Sequence, residues 1–172
     1  MDVFEAIKNR RSIRAYKTDP IDDKTITKLL EAMRLAPSGK NLQPWKFIVV
    51  KDPNIKEELV PACRNQTFIA KAPCIIAACA FEKQSYDKMG SYMSSWAIDV
   101  AIALDHLSLA AASLGIGTCW IGAFNEGEVK KILDIPADVR VVALMPLGYS
   151  EYVPDPKPRK SLEEIVCYEK YS

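Results

Sequence analysis

Between Ser94 and Leu114 the chain offers a helix with apolar side chains around almost its whole circumference: Trp96, Ile98, Val100, Ala101, Ile102, Leu104, Leu107, Leu109, Ala110, Ala111 and Leu114. A surface helix shows one apolar stripe, whereas a helix apolar on nearly every side has to be covered on nearly every side. A chain of 172 residues amounts to a single domain, 1–172, and has little material with which to do that alone. The segment therefore points to a core helix whose outer face needs further cover. His106 within it, next to Asp105, reads as a structural or interface residue, because a histidine is readily satisfied by its neighbours.

The other elements assemble around that helix. Asp2 caps a short helix carrying Val3, Phe4 and Ile7, which delivers the basic run Asn9-Arg10-Arg11-Ser12-Ile13-Arg14. Ile26, Leu29, Leu30 and Met33 mark the buried face of a second helix, which must end before Pro37. Strands are expected at Trp45 to Val50, Cys74 to Ala80, Thr118 to Ile121 and Val139 to Leu147. The second is apolar on both faces and so belongs in the middle of a sheet. Asn125 with Glu128, and Ser161 with Glu164, are spaced as helix-opening capping pairs. Pro154, Pro156 and Pro158 make the tail extended. The pattern is an α+β domain, a central mixed sheet covered by helices.

Composition excludes several classes. Lys and Arg number 23 against 22 Asp and Glu, so there is no global attraction to nucleic acid or an anionic membrane. Any anion site must be local. Five cysteines with no Cys-x-x-Cys pair indicate neither a disulfide scaffold nor a zinc site, and suit a reducing cytoplasm. The first residues carry acids where a signal peptide carries bases, and no uninterrupted apolar run reaches the ~20 residues of a membrane span.

Two groups of residues can carry chemistry. Arg10, Ser12 and Arg14 near one end, with Lys157 and Arg159 near the other, would form a phosphate site if they converged, since guanidinium forks bind phosphate oxygens in pairs. Taken alone they could equally be two solvated patches. The loop Pro37-Ser38-Gly39-Lys40-Asn41-Leu42-Gln43-Pro44 offers amides and a hydroxyl to a heteroaromatic edge, or is a plain turn. Trp45, Trp96 and Trp120 read as core or interface, and Cys119 as a buried thiol.

Four segments in order change that balance: Arg10-Arg11-Ser12-Ile13-Arg14, Ala36 to Phe47 with its Pro-Ser-Gly-x-Asn-x-Gln-Pro-Trp stretch, Leu114 to Gly122, and Lys157-Pro158-Arg159-Lys160. With these, the whole chain resembles the nitroreductase family of FMN-dependent oxidoreductases. The resemblance implies an FMN phosphate held by Arg10 and Arg159 with help from Lys157, with Arg11 also among the cofactor-binding residues, Ser12 at the phosphate or ribityl chain and Arg14 at the pyrimidine edge of the ring. It implies Gln66 at the ribityl or ring edge, and Ile121 with Gly122 beside the central ring, the Gly122 N–H pointing at N5. Pro37, Ser38, Gly39 and Asn41 would reach the flavin of the other protomer of a homodimer, whose paired long helices would explain the surplus apolar surface. The implied reaction passes hydride from NADH or NADPH through the flavin to a nitroaromatic, a quinone or a similar acceptor in a ping-pong scheme. Two departures bear on substrate choice: Gly122-Ala123 stands where many relatives have Glu-Gly, and the Glu82 to Ser95 excursion is brief. Two other readings stay open, a flavin reservoir or sensor with little turnover, and a phosphate- or nucleotide-binding module without flavin.

Overall fold

In the computed structural model, which describes residues 1–171, strand β2 (Cys74–Ala80) is buried at every position. Its alternate side chains feed two cores. Cys74, Ile76, Ala78 and Ala80 pack with helices α2 (Asp23–Arg34) and α5 (Trp96–Ser113), while Ile75, Ala77 and Cys79 pack with α3 (Pro53–Ala62) and α6 (Glu126–Ile132). This is the placement expected of a strand apolar on both faces.

The remaining strands are β1 (Trp45–Val50), β3 (Ile116–Thr118) and β4 (Arg140–Tyr149), and the sheet order is β1-β2-β4-β3. Every neighbouring pair is antiparallel. Among the described residues, the mixing of strand directions expected from the sequence comes down to one parallel bridge, between Ser12 and Thr118. Helices α1 (Val3–Asn9), α4 (Phe68–Lys71) and α7 (Leu162–Ile165) complete the chain. The caps read from the sequence are present: Asp2 accepts from Glu5 N–H, Asn125 from Glu128 N–H, and Ser161 with Glu164 closes a capping box. Leu104 and Leu107 of α5 are fully buried, and truncating either to alanine typically costs about 2–5 kcal/mol.

By length and composition alone α5 could span a membrane, but it is packed here as a core helix against the sheet, α1 and α2. Cover reaches only half its circumference. Val100, Ala103, Leu104, Leu107 and Ala111 are buried, whereas Ile98 is 39% exposed and Ala101, Ile102 and Leu109 are partly open. Phe4 and Ile7 on α1, a helix packed against α5, are 79% and 54% exposed. The His106 ring nitrogen Nδ1 lies 3.2 Å from Ala32 O near the C-terminal end of α2, a structural tie between the two helices.

The third strand differs from expectation. Gly115, at φ 73°, turns the chain out of α5 directly into β3 at Ile116, two residues before the expected start. Pairing then lapses at Cys119 and Trp120. It resumes at Ile121, which exchanges both backbone hydrogen bonds with Leu144 at 2.8 and 3.1 Å.

Candidate functional site

Residues 11–17 follow the outer edge of β3 and then the end of β4. Ile13 N–H donates to Thr118 O at 2.9 Å, Lys17 N–H to Tyr149 O at 2.8 Å, and the buried Tyr16 hydroxyl to Ile13 O at 2.7 Å. Burial pushes the Tyr16 phenol pKa far up, so the hydroxyl remains a donor. Along an extended segment side chains alternate, so burial of Ile13 turns Ser12 and Arg14 to the other side. Gly117 makes this approach possible, because a Cβ there would sit 2.6 Å from Ile13 Cγ1.

The basic segment borders a cleft of about 400 Å³, within the usual range of roughly 300–1,000 Å³ for small-molecule sites. Arg10, Ser12, Thr118, Trp120 and Met145 line it from the sheet side, with Ala101, Leu104, Asp105 and Ser108 from α5. A guanidinium and several hydroxyls thus share one space with apolar walls. Arg14 belongs to the same neighbourhood. Burial raises the Cys119 thiol pKa, and the charges of Arg14 and Arg10 both pull against that rise.

Arg11 is placed differently. Its Nη1 donates to Lys8 O at 2.6 Å and Arg10 O at 3.0 Å, closing the end of α1 and leaving Nε buried without a partner. Ile121 spends its backbone on Leu144, while the next residue, Gly122, is exposed and its N–H has no protein partner among the described residues. Gln66 joins that segment by donating from Nε2 to Cys63 O at 2.9 Å and Ala123 O at 3.3 Å. It follows Arg64 and Asn65, both at positive φ (57° and 58°), an uncommon conformation for residues with side chains.

The loop 37–44 is similarly strained. Lys40, Asn41 and Gln43 have φ of 51°, 57° and 50°. Ser38 Oγ accepts Gln43 N–H at 2.9 Å, and Gln43 Nε2 donates to Asn41 O at 3.0 Å. Pro37 and Asn41 are exposed, and Gly39 N–H is anchored to Asp99 at the start of α5. At about 100° per residue, Asp99 and the cleft-lining Ser108 lie about 180° apart around the α5 axis. Within one chain the loop and the cleft therefore flank opposite sides of that helix.

Lys157 and Arg159 stay exposed in the extended tail. Arg159 donates only to the carbonyls of Lys157 and Pro158, at 3.2 and 3.3 Å, and among the described residues no hydrogen bond or ion pair ties either side chain to Arg10 or Ser12. Trp120, read from the sequence as core or interface, is 43% exposed and borders the cleft. The signal for it was the period of two, since Thr118 and Trp120 line the cleft while Cys119 between them is buried. Met145, Asp105 and Ser108 carried no local signal. No group of three metal-binding side chains occurs among the described residues.

The nitroreductase family description matches residues 7–73 and 62–149. A solved nitroreductase family protein from Clostridium novyi NT is 38% identical, with a TM-score of 0.82 over 95% of this chain and 91% of the other. An NADH dehydrogenase of Thermus thermophilus is 29% identical over 98% of this chain and 96% of its own length. An FMN reductase [NAD(P)H] of Bacillus subtilis is 28% identical over 99% of this chain and 74% of its own. Fold, motif order and sequence agree along most of the length, and the chain belongs to the nitroreductase family.

Proposed function

We propose that this protein is an FMN-dependent oxidoreductase that passes hydride from NADH or NADPH to a nitroaromatic, a quinone or a similar small acceptor. Its family and the names of its relatives make it an NAD(P)H-dependent oxidoreductase; the choice of FMN, the acceptor class and the residue roles are our reading. The observation that carries it is that Arg10 and Ser12, the latter bridged to Thr118 on the sheet edge, line one cleft with Leu104, Met145 and Trp120 among its other walls, while Arg14 follows two residues on.

These residues fit FMN. Arg10 supplies the charge and Ser12 the hydroxyl for a phosphate, with charge-assisted bonds worth roughly 1.5–3 kcal/mol. Leu104 and Met145 keep water from an apolar ring. Arg14 offers positive charge to the ring's polar edge, and the Gly122 N–H is a donor with no protein acceptor among the described residues. Arg11 contributes through the end of α1, which carries Arg10. The chemistry supplied by FMN at such a site is reversible hydride acceptance, the two substrates using one opening in turn, a ping-pong scheme.

A second copy completes the site in this reading. The half-open apolar face of α5, with Phe4 and Ile7 also exposed on α1, suits a homodimer, and the placement of loop 37–44 across α5 from the cleft favours Pro37, Ser38, Gly39 and Asn41 serving the neighbour's cofactor. A dimer also gives the tail carrying Lys157 and Arg159 a second surface on which to settle. Four buried thiols suit a cytoplasmic setting. The test is steady-state oxidation of NADH and NADPH with a nitroaromatic and a quinone, set against free FMN at the same concentration. Turnover well above the free-flavin rate is expected; a rate no higher refutes the enzyme and leaves a flavin carrier.

A further inference from the structure

The carboxylate of Asp99 is 3% exposed in the first turn of α5 and is not among the cleft's lining residues. Its Oδ1 accepts Gly39 N–H at 2.9 Å, and its Oδ2 accepts the Ser95 hydroxyl at 2.6 Å. Ser95 Oγ in turn accepts Tyr86 N–H at 3.2 Å, and Ser95 N–H donates to Tyr86 O at 2.8 Å. Burying a carboxylate is costly unless hydrogen bonds replace its water, and here both oxygens are spent on two segments distant in sequence.

Those segments are tightly apposed. A Cβ on Gly39 would lie 2.9 Å from Tyr86 Cβ and 3.0 Å from Ser95 Oγ, so only glycine brings the loop backbone this close. Lys40 Nζ lies 4.8 Å from the centre of the Tyr86 ring. Lys40 and Asn41 follow at φ 51° and 57°, a conformation that persists in residues with side chains only where the surroundings impose it.

We propose that Asp99 is a positioning residue: by gripping Gly39 N–H and the Ser95 hydroxyl it holds loop 37–44 and segment 82–95 as one body, and so presents Asn41 in its left-handed turn. The proposal rests on the reading that this loop serves the FMN of a neighbouring copy. Asp99 acts through Gly39 and touches neither cofactor nor substrate.

The test compares the full-length protein with Asp99→Ala, Asp99→Asn and Ser95→Ala. Hydrogen exchange of the flavin-free proteins is followed in peptides covering 37–44 and 82–95, and FMN binding is titrated by flavin fluorescence. Asp99→Ala is expected to speed exchange in both segments and to raise the FMN Kd about tenfold or more. Asp99→Asn, which keeps an oxygen for Gly39 N–H, should stay within about threefold of wild type. Unchanged exchange across 37–44 in Asp99→Ala overturns the proposal, as does faster exchange with unchanged FMN affinity, or an asparagine variant as impaired as the alanine one. Should Asp99→Ala not fold, Ser95→Ala carries the test, with faster exchange across 37–44 and a weaker FMN Kd expected and wild-type values on both contrary. A wild-type protein that takes up no FMN refutes the flavin reading and the proposal together, whereas equal FMN affinity in wild type and Asp99→Ala refutes the proposal alone.

Discussion

Replacing Gly117 by alanine tests how the basic row is held. The new methyl carbon would stand 2.6 Å from Ile13 Cγ1, 2.8 Å from Ile13 Cβ and 3.0 Å from Ile13 Cγ2, where carbon atoms ordinarily rest ~3.5–4.0 Å apart. Rotating the Ile13 side chain cannot relieve this, because Cβ itself is among the clashing atoms. The backbone of residues 12–14 must retreat from β3 by up to roughly 1 Å, straining the 2.9 Å bond from Ile13 N–H to Thr118 O. Overpacking of this kind costs about 1–3 kcal/mol, and the same retreat displaces Ser12 from the cleft and shifts Arg14 with it. Urea unfolding of the flavin-free protein and FMN titration are the paired assays. We expect a stability loss in that range together with weaker FMN binding. The double variant Ile13→Ala, Gly117→Ala should recover less than the full loss, since Cβ remains in both. A Gly117→Ala protein with wild-type stability and wild-type FMN affinity would refute the claim that close packing on β3 aims these side chains.

Arg10→Ala should weaken FMN retention by about 1.5–3 kcal/mol, measured by equilibrium dialysis, whereas Arg11→Ala should lose less affinity because its guanidinium is spent on the end of α1. Mixing Asn41→Ala with Arg10→Ala subunits should rebuild one complete site in each mixed dimer, read as flavin bound above that of either parent; no recovery would argue against sharing between protomers. Glu126 accepts Val141 N–H at 2.9 Å and Arg140 Nε at 3.0 Å. Burial pushes its pKa up, but Val141 N–H, Arg140 and Lys130 together outweigh that and hold it below the ordinary value. A depressed folded pKa gives stability that is present above about pH 4.3, the unfolded value, and is lost as pH falls through the folded one. Glu126→Gln should therefore unfold with a shallower acid limb, followed by thermal melts at successive pH. Burial raises the thiols of Cys63, Cys74 and Cys79 to about 11, so alkylation of these three at neutral pH should wait for unfolding.

What the sequence revealed were features set by local period and chemistry. Cys74 to Ala80 had no polar residue on either face and took the centre of the sheet; Asp2 and Asn125 had the side chains that caps require, and both cap. The long helix announced a need for cover that one chain meets on only half its surface. Features set by contacts distant in sequence were not legible. Nothing near Arg11 says that it folds back on Lys8, and nothing near Asp99 says that its carboxylate reaches Gly39, 60 positions away. Trp120 is less buried within one chain than its apolar bulk suggests, because alternation beyond Cys119 turns it to the cleft. Lys157 and Arg159 were placed by resemblance alone, and in the structure both are exposed in the tail, with Arg159 donating to the carbonyls of Lys157 and Pro158.

The most direct test of the central claim is the absorbance of the purified protein after incubation with FMN and gel filtration, followed by anaerobic addition of NADH and then NADPH. The account predicts a yellow dimer holding about one flavin per chain, bleached by at least one of the two nicotinamides. A colourless protein that retains no FMN, or a bound flavin that neither nicotinamide reduces, would contradict it.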